Sequence, residues 1–549
     1  MTDGQEEAIF LGGGGEGHAE PQALLLRMAN RHGLIAGATG TGKTVTMQVL
    51  AEGFSAAGVP VFLSDVKGDV AGMALPGEAQ GRLHEAFVKR AATIGLAEIG
   101  YRGCPVTFWD VFGAHGHPVR ATVAEMGPLL LSRILELTEA QEGVMNIAFR
   151  IADEEALPLL DLKDLQAMLV FLGQNARDLT LRYGTVSQAS IGAIQRRLMV
   201  LEGQGADRFL GEPALELSDL MALDAEGRGR VNILHAERLM QTPRLYATFL
   251  LWLLAQLFEE LPEVGDPEKP KLVFFFDEAH LLFNGAPRAL VDKVVQVARL
   301  IRSKGVGVWF VTQNPDDVPE AVLGQLGNRV QHALRAFTAR DQQALRRAAQ
   351  TYRANPRFST EQTIREVGTG EAVTSFLDNR GAPGVVERTL IRPPSSLLGP
   401  IPAETRAAIL AASPLGPKYD TLIDNDSAHE RLARRAAQAA AEAADPAGAG
   451  PGAAVPEERR YSAVERVAGR GQRWTAGGDT QAGAATPRSA TASTPAASSR
   501  AWAGAGGSSP RRGGDSVVDA FAKSFARSIG TRSGTAVARG VLGTLFRNR

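Results

Sequence analysis

The sequence contains a single cysteine, Cys104, among its 549 residues. One cysteine excludes an intramolecular disulfide framework and any CxxC metal or redox site, and it favours a reducing compartment. The first ten residues, MTDGQEEAIF, lack the basic start and apolar stretch of a signal peptide. The longest strongly apolar run, residues 245–258, is too short to span a bilayer and predicts a buried helix. We therefore expect a cytoplasmic protein.

Neither sign of charge is in excess over the whole chain, because 59 basic residues face 60 acidic ones. The two parts of the chain nevertheless differ. Residues 431–549 carry 18 basic and 8 acidic residues, a net charge of +10, whereas residues 1–430 carry −11. An acidic body with a basic tail makes the tail the better candidate for contact with an anionic partner.

Short apolar runs alternate with helical patterns along much of the chain. Alternation of this kind favours an α/β fold with a mostly parallel sheet covered on both faces. A helix is predicted over residues 43–57. The predicted strands fall at residues 31–37, 59–65, 104–112, 230–236, 271–280, 305–314, 329–337 and 370–378.

Two stretches break this pattern. Residues 118–225 show apolar positions at helical spacing and no clear strand, which predicts a helical insertion. Ala/Gly/Pro/Ser tracts after residue 445 cannot bury enough apolar surface to fold. The predicted organisation is a core formed by 1–117 and 226–398, the insertion 118–225, a helical extension 399–445, a disordered linker 446–514 and a basic segment 515–549. In that last segment Val517, Phe521, Phe525 and Ile529 recur every four residues, which predicts a cationic amphipathic helix.

A phosphate-binding motif, G-x-x-x-x-G-K-S/T, occupies residues 37–44. It follows a predicted strand and opens a predicted helix, which is the context that such a loop requires. Its backbone N–H groups would surround the phosphates of ATP, Lys43 would reach the β- and γ-phosphates, and the Thr44 hydroxyl would hold Mg²⁺. The predicted nucleotide-binding residues are Gly37, Ala38, Thr39, Gly40, Thr41, Gly42, Lys43 and Thr44.

Two adjacent acids, Asp277 and Glu278, follow the apolar run LVFFF. Carboxyl ends of parallel strands converge on the ligand, so this is the position of a Walker B pair. We predict that Asp277 holds Mg²⁺ and that Glu278 activates the attacking water as general base. The alternative is that both acids cap the next helix.

Further polar residues end neighbouring strands. Gln313, at the end of GVGVWFVTQN, is predicted to sense the γ-phosphate or orient water, although a polar strand end often marks only a turn. Asp65 and Asp69 flank the end of VPVFLSD, where they would support the metal or a movement coupled to DNA, or simply cap the turn and the next helix.

The order of these parts resembles the HerA/FtsK superfamily of ring-forming P-loop ATPases, and within it the bacterial YjgR-type branch of helicase HerA-like proteins. The strings that carry the resemblance include ANRHGLIAGATGTGKT, VPVFLSDVKGD, KLVFFFDEAHLLF and RLIRSKGVGVWFVTQNPDDVP. It covers about residues 8–395 and the segment FAKSFARSIG. The resemblance implies a RecA-like core, a polar sensor strand between the phosphate-loop and Walker B strands, and hexamers with ATP at subunit interfaces.

One departure concerns partners. HerA translocases carry a β-barrel before the ATPase core, whereas only 36 residues precede Gly37. A HerA-type nuclease partner, which docks through that barrel, is therefore not expected. Interface ATPases use an arginine from the neighbouring subunit, and Arg302 and Arg329 are the candidates for that role. Each is equally consistent with an ordinary surface or ion-pairing arginine.

Two functions remain open at this point. The first is a hexameric motor that moves DNA. The second is an NTP-driven switch or remodelling scaffold that acts on protein or membrane partners without translocation. The basic C-terminal segment is predicted to dock on protein, with nucleic acid or an anionic membrane as alternatives.

Overall fold

The computed structural model describes residues 7–283 and 288–444. Among them, the residues up to 435 belong to one compact unit, and residues 436–444 belong to a second. The first unit contains a twelve-stranded sheet. Its strands are β1 Ala8–Gly14, β2 Glu20–Leu25, β3 Gly33–Ala36, β4 Val61–Asp65, β5 Val106–Asp110, β6 His117–Pro118, β7 Val231–His235, β8 Leu272–Phe276, β9 Val306–Thr312, β10 Asn328–Gln331, β11 Glu371–Ser375 and β12 Glu387–Ile391.

The helices occupy the connections and the region after the sheet. They are α1 Lys43–Ala56, α2 His84–Thr93, α3 Val123–Ile134, α4 Glu139–Glu154, α5 Leu162–Gln174, α6 Ala176–Tyr183, α7 Gln188–Leu201, α8 Asp207–Phe209, α9 Leu217–Leu220, α10 Pro243–Glu260, α11 His280–Phe283, α12 Arg288–Leu300, α13 Glu320–Leu323, α14 Ala339–Gln350, α15 Thr360–Glu366, α16 Ala403–Ala411, α17 Gly416–Tyr419 and α18 Ala428–Ala444.

The strand order is β2-β1-β12-β11-β10-β3-β9-β8-β4-β7-β5-β6. All neighbours from β10 to β6 are parallel. The four strands beyond β10 are added antiparallel. The predicted α/β class with a mostly parallel sheet is confirmed. The strand β9 lies between β3 and β8, which is the order that the family resemblance implies.

Each face of the sheet carries its own hydrophobic core. In β8, Phe275 packs with Phe54 of α1 on one face. Phe274 and Phe276 point to the opposite face, which the helices α10 and α12 and the helices between β6 and β7 cover. Successive side chains of a strand alternate between faces, so a strand buried on both sides is apolar at every position. This is why LVFFF reads as a continuous apolar run.

Seven helices, α3 to α9, connect β6 to β7. Buried leucines such as Leu165 and Leu198 join these helices to the core that α10 also enters. Pro118, the first residue of the predicted insertion, lies in β6 rather than in a helix. The predicted strand at 329–337 is shorter than expected, because β10 ends at Gln331 and residues 332–337 leave the sheet.

The glycine-rich segment near the start forms β1, a strand that the sequence analysis did not predict. β1 pairs with β12 on one side and β2 on the other. A Cβ on Gly12 would lie 2.1 Å from the carbonyl oxygen of Leu390 in β12. The glycine is therefore required for the two backbones to approach. The outermost strands of the sheet are β2, which contains Pro21, and β6, which contains Pro118.

The helical extension predicted at 399–445 contains α16, α17 and α18. The predicted disordered linker 446–514 and the predicted amphipathic segment 515–549 lie outside the described residues. Among the described helices, none combines the length and the apolar character needed to cross a bilayer.

Candidate nucleotide site

The predicted phosphate loop connects β3 to α1. The strand ends at Ala36 and the helix begins at Lys43. The residue that precedes the helix, Gly42, has a φ of +115°, and no side chain caps the helix. Residues with a Cβ rarely adopt that φ, so this glycine lets the loop turn directly into the helix. The first N–H groups of α1 are therefore available to an anion.

Two neighbouring strands hold the backbone of this loop. The N–H of Gly37 donates to the carbonyl of Thr312 at the end of β9, at 3.2 Å. The N–H of Ala38 donates to the carbonyl of Ala333, just after β10, at 2.8 Å. These bonds fix the loop at the carboxyl ends of three adjacent strands.

The Lys43 side chain lies over the loop and is buried. Its ammonium donates to the carbonyl oxygens of Gly37 at 2.7 Å and Ala38 at 3.1 Å. Burial lowers the pKa of Lys43, while the carboxylate of Glu278 acts in the opposite direction. The lysine therefore lies within electrostatic range of the acids that follow β8.

Asp277 and Glu278 follow β8 directly, and both are nearly inaccessible to solvent, with 4% and 5% exposure. Burial raises the pKa of Asp277 to about 7, against the opposing effect of the Lys67 charge. A nearby cation stabilises the ionised form of such a buried carboxyl group. Asp277 is therefore suited to bind a divalent metal ion. Glu278 has a φ of +49°, a left-handed conformation that a non-glycine residue keeps only where its surroundings hold it.

Three side chains surround the Glu278 carboxylate. Lys67 Nζ lies 2.5 Å from Oε1. Gln313 Nε2 donates to Oε2 at 3.3 Å, and His280 Nδ1 lies 3.2 Å from the same oxygen. Burial favours the protonated carboxyl, but Lys67 and Gln313 outweigh it, so the pKa of Glu278 lies below its ordinary value. Glu278 is therefore ionised at neutral pH.

The turn after β4 brings Lys67 to this site. The Asp65 carboxylate accepts hydrogen bonds from the N–H groups of Gly68 at 2.7 Å, Asp69 at 3.3 Å and Val70 at 3.4 Å. Asp65 therefore forms the turn, which is the capping alternative considered for it. No sequence motif marks Lys67, since the string DVKGD does not show which strand lies beside β4.

His332 supports the phosphate loop from below and was also missed. Its Nε2 lies 2.8 Å from the Thr46 hydroxyl of α1, and its Nδ1 lies 2.8 Å from the carbonyl oxygen of Glu371. A carbonyl accepts only, so Nδ1 carries the proton and Nε2 accepts from Thr46. Burial lowers the pKa of His332 to about 4, which keeps the ring neutral. No sequence motif marks this histidine.

The two candidate arginines lie away from the phosphate loop of their own chain. Arg302 precedes β9 and pairs with Asp266 at 3.0 Å. Arg329 lies in register with Leu34 of β3 and donates to the carbonyl of Leu323 at 3.0 Å. Neither contacts the nucleotide-binding residues of the same chain.

A cleft of about 370 Å³ opens beside the phosphate loop. Ala38 and Thr39 line one side, and Gln313 lines the strand end between them and β8. The exposed residues Arg335 and Phe337, which follow β10, form the other rim. A larger cleft of about 610 Å³ lies between β1 and the end of α1, away from every predicted site residue.

Comparison with known proteins identifies the family. The model of the "Helicase HerA-like C-terminal" family matches residues 14–549. The chain belongs to the HerA-like family. It is a P-loop ATPase with a RecA-like α/β fold.

Solved structures similar to this HerA-like protein have low sequence identity to it. The bacterial conjugative coupling protein TrwBdeltaN70 is 14% identical, with a TM-score of 0.46 over 73% of this chain and 92% of its own. VirB4 of Thermoanaerobacter pseudethanolicus is 15% identical, with a TM-score of 0.45 over 71% and 97%. Plasmid coupling protein TrwB in complex with ADP and Mg²⁺ is 15% identical, with a TM-score of 0.44 over 68% and 89%. No curated protein matches the sequence.

Proposed function

We propose that this HerA-like protein hydrolyses ATP at the carboxyl edge of β3, β9 and β8 and uses the energy to move DNA through a homohexameric ring. The observation that carries the catalytic part is the convergence of three residues from three adjacent strands. Lys43 follows β3, Gln313 follows β9 and Glu278 follows β8, and a hydrogen bond of 3.3 Å joins the last two.

The residues present fit a Mg–nucleotide complex. The N–H groups of Gly37 and Ala38 already donate to backbone carbonyls, so those of residues 39–44 would bind the phosphates, with Lys43 on the β- and γ-phosphate oxygens. Thr44 and the buried Asp277 would hold Mg²⁺, which usually takes one or two protein ligands together with phosphate oxygens and water. The metal would neutralise charge on the transferred phosphoryl group.

The chain's own residues would then activate the water. Glu278 is ionised and buried, so its carboxylate would accept the proton of a water held between it and the γ-phosphate. Gln313, already bonded to Glu278, would orient that water. We infer from this arrangement that removal of the charge on Glu278 lowers turnover by roughly 10²–10⁴-fold and leaves nucleotide binding in place.

Ring formation explains the positions of the candidate arginines. A residue that serves a neighbouring subunit does not need to lie near its own phosphate loop, and neither Arg302 nor Arg329 does. We propose that one of them reaches the phosphates of the adjacent subunit. Mixing Arg302→Ala or Arg329→Ala subunits with Glu278→Gln subunits should restore some activity only for the arginine that acts in trans.

The basic C-terminal segment, residues 515–549, would dock on protein, because the body it is attached to carries a net charge of −11 over residues 1–430. A cytoplasmic location is part of this proposal.

The central experiment measures ATP turnover of the full chain, with its oligomeric state determined, alone and with DNA, RNA or anionic vesicles. We expect Mg²⁺-dependent turnover by an oligomer and stimulation by DNA. Turnover by a demonstrated monomer would contradict the ring. Stimulation by vesicles or by protein alone would instead support the remodelling scaffold.

A further inference from the structure

The ion pair between Lys67 and Glu278 joins two very different environments. The Lys67 side chain is 41% exposed, whereas the Glu278 side chain is 5% exposed, and their charged atoms lie 2.5 Å apart. The lysine therefore reaches from the solvent side into the pocket where Glu278 is buried.

Lys67 is held in that position by its own turn. The buried Asp65 carboxylate fixes the turn through the three backbone N–H groups of residues 68–70. The strands β4 and β8 are hydrogen-bonded neighbours, so the turn and Glu278 stand side by side at one edge of the sheet. The strand order and the fixed turn therefore place Lys67 beside Glu278.

The contact occupies one of the two oxygens of the carboxylate that would act as the base. Glu278 Oε1 is bonded to Lys67, while Oε2 faces Gln313 and His280. A general base must accept a proton from water, and an ammonium at 2.5 Å competes for that oxygen. Each partner is a side chain, so the arrangement can change without breaking a backbone hydrogen bond.

We propose that Lys67 is a positioning residue that restrains Glu278, and that hydrolysis proceeds when Lys67 releases it. This inference rests on the proposed role of Glu278 as general base. The restraint acts on the chemical step and not on nucleotide binding, because the groups that would bind the phosphates belong to residues 37–44.

The test compares kcat and KM for MgATP in the full-length protein and its Lys67→Ala, Lys67→Met and Lys67→Arg variants. The ion pair is partly exposed, so its loss should raise kcat about two- to fivefold in Lys67→Ala and Lys67→Met. The KM and the affinity for a fluorescent ADP analogue should stay within about twofold. Lys67→Arg keeps the charge and should behave as wild type.

Lys163→Ala is the matched control. Lys163 is 46% exposed and pairs with Asp161 and Asp424, far along the chain from the nucleotide-binding residues. Its loss should leave kcat unchanged.

An unchanged or lower kcat in Lys67→Ala and Lys67→Met overturns the restraint, and a lower value would show that Lys67 assists catalysis. Glu278→Gln separates this result from the proposed function. If Glu278→Gln turns over normally, the general-base assignment fails. If Glu278→Gln is inactive and Lys67→Ala is not activated, only the restraint fails. The double variant should be as inactive as Glu278→Gln.

Discussion

Two buried glutamates of this protein, Glu52 and Glu278, have opposite surroundings. Glu52 lies in α1 and is 6% exposed. Its Oε1 accepts from the N–H and hydroxyl of Ser396 at 2.8 and 2.6 Å, and its Oε2 accepts from the N–H of Ser395 at 2.9 Å and from Arg392 at 3.2 Å. Glu278 is similarly buried, but the three partners described for its carboxylate are all side chains, those of Lys67, Gln313 and His280.

This difference in hydrogen-bond partners indicates a structural role for Glu52 and a functional role for Glu278. Backbone donors cannot move without local unfolding, so Glu52 ties α1 to residues 392–396 permanently. Side-chain donors can rotate away, so Glu278 can exchange its partners during a reaction. Its φ of +49° adds strain that the structural glutamate, inside a helix, does not carry.

The largest effect that this comparison predicts is on catalysis. Glu278→Gln should lower kcat by roughly 10²–10⁴-fold, because it removes the proposed base while keeping the side-chain shape. The melting temperature and ADP affinity should stay close to those of wild type. Steady-state ATP turnover and a fluorescent nucleotide titration check this. A stability loss comparable to that of a Glu52 variant would show that Glu278 is structural after all.

The reciprocal substitution should act on folding. Glu52→Gln should lower the free energy of unfolding by roughly 3 kcal/mol, since it leaves Arg392 without its buried partner. Urea unfolding measures the loss, and the exposed Glu98→Gln provides the control, with no change expected. The folded fraction of Glu52→Gln should retain its kcat per active site. A selective loss of kcat with normal stability would reverse the comparison.

Acidic pH should lower the free energy of unfolding because two histidines, His32 and His332, are buried in their neutral form. Burial lowers the pKa of His32 and His332 to about 4, and His32 Nδ1 must stay unprotonated to accept from the N–H of Val308 at 3.0 Å. Between pH 6.5 and 4 the unfolded chain binds the protons that the folded chain excludes. The free energy of unfolding should therefore fall as the pH drops, by roughly 2 kcal/mol per histidine at pH 5.

Urea unfolding at pH 7.5 and pH 5 measures this fall in the free energy of unfolding. The variant His32→Asn should show about half of the difference between the two pH values that wild type shows. His332 lies beneath the phosphate loop, so a nucleotide titration across the same range shows whether the site weakens before the whole unit unfolds. Equal stability at both pH values would contradict the neutral state of these rings.

The smallest effect should come from the C-terminal region. Deletion of residues 446–549 keeps every residue named above as a partner of Glu52 or Glu278, so we expect the melting temperature and ADP affinity to change little. Sedimentation velocity and partner-binding measurements should show the change instead. A truncated protein that cannot fold or bind nucleotide would place that region in the core.

The central strands of the sheet can be predicted from the sequence because both of their faces are buried, which makes them continuous apolar runs. The run LVFFF in β8 has no polar position, and five apolar residues between polar ends indicate a strand of that length. The same reasoning fails for β1, because only its first four residues are apolar and the glycines at 12–14 carry no side-chain pattern. Gly12 is needed because a Cβ at that position would lie 2.1 Å from the carbonyl oxygen of Leu390, some 380 residues further along the chain, and no local signal contains that contact.

The candidate site divides in the same way. Lys43, Asp277, Glu278 and Gln313 are predicted from motifs and strand ends, and their roles stay predictions that the variants above address. Lys67 belongs to the site only because β4 lies beside β8. That adjacency is a property of the sheet order, which spacing along the chain does not determine.

The proline at each end of the sheet has a consequence for solubility. The open edge of a sheet offers unpaired N–H and C=O groups to other chains, and a long flat edge promotes aggregation. Pro21 removes a donor from β2, which also begins with the charged Glu20, and β6 is a two-residue strand that includes Pro118. A twelve-stranded sheet would otherwise be an efficient template for amyloid-like growth. Replacing Pro21 and Glu20 by valine would expose that template, and light scattering during refolding would detect it.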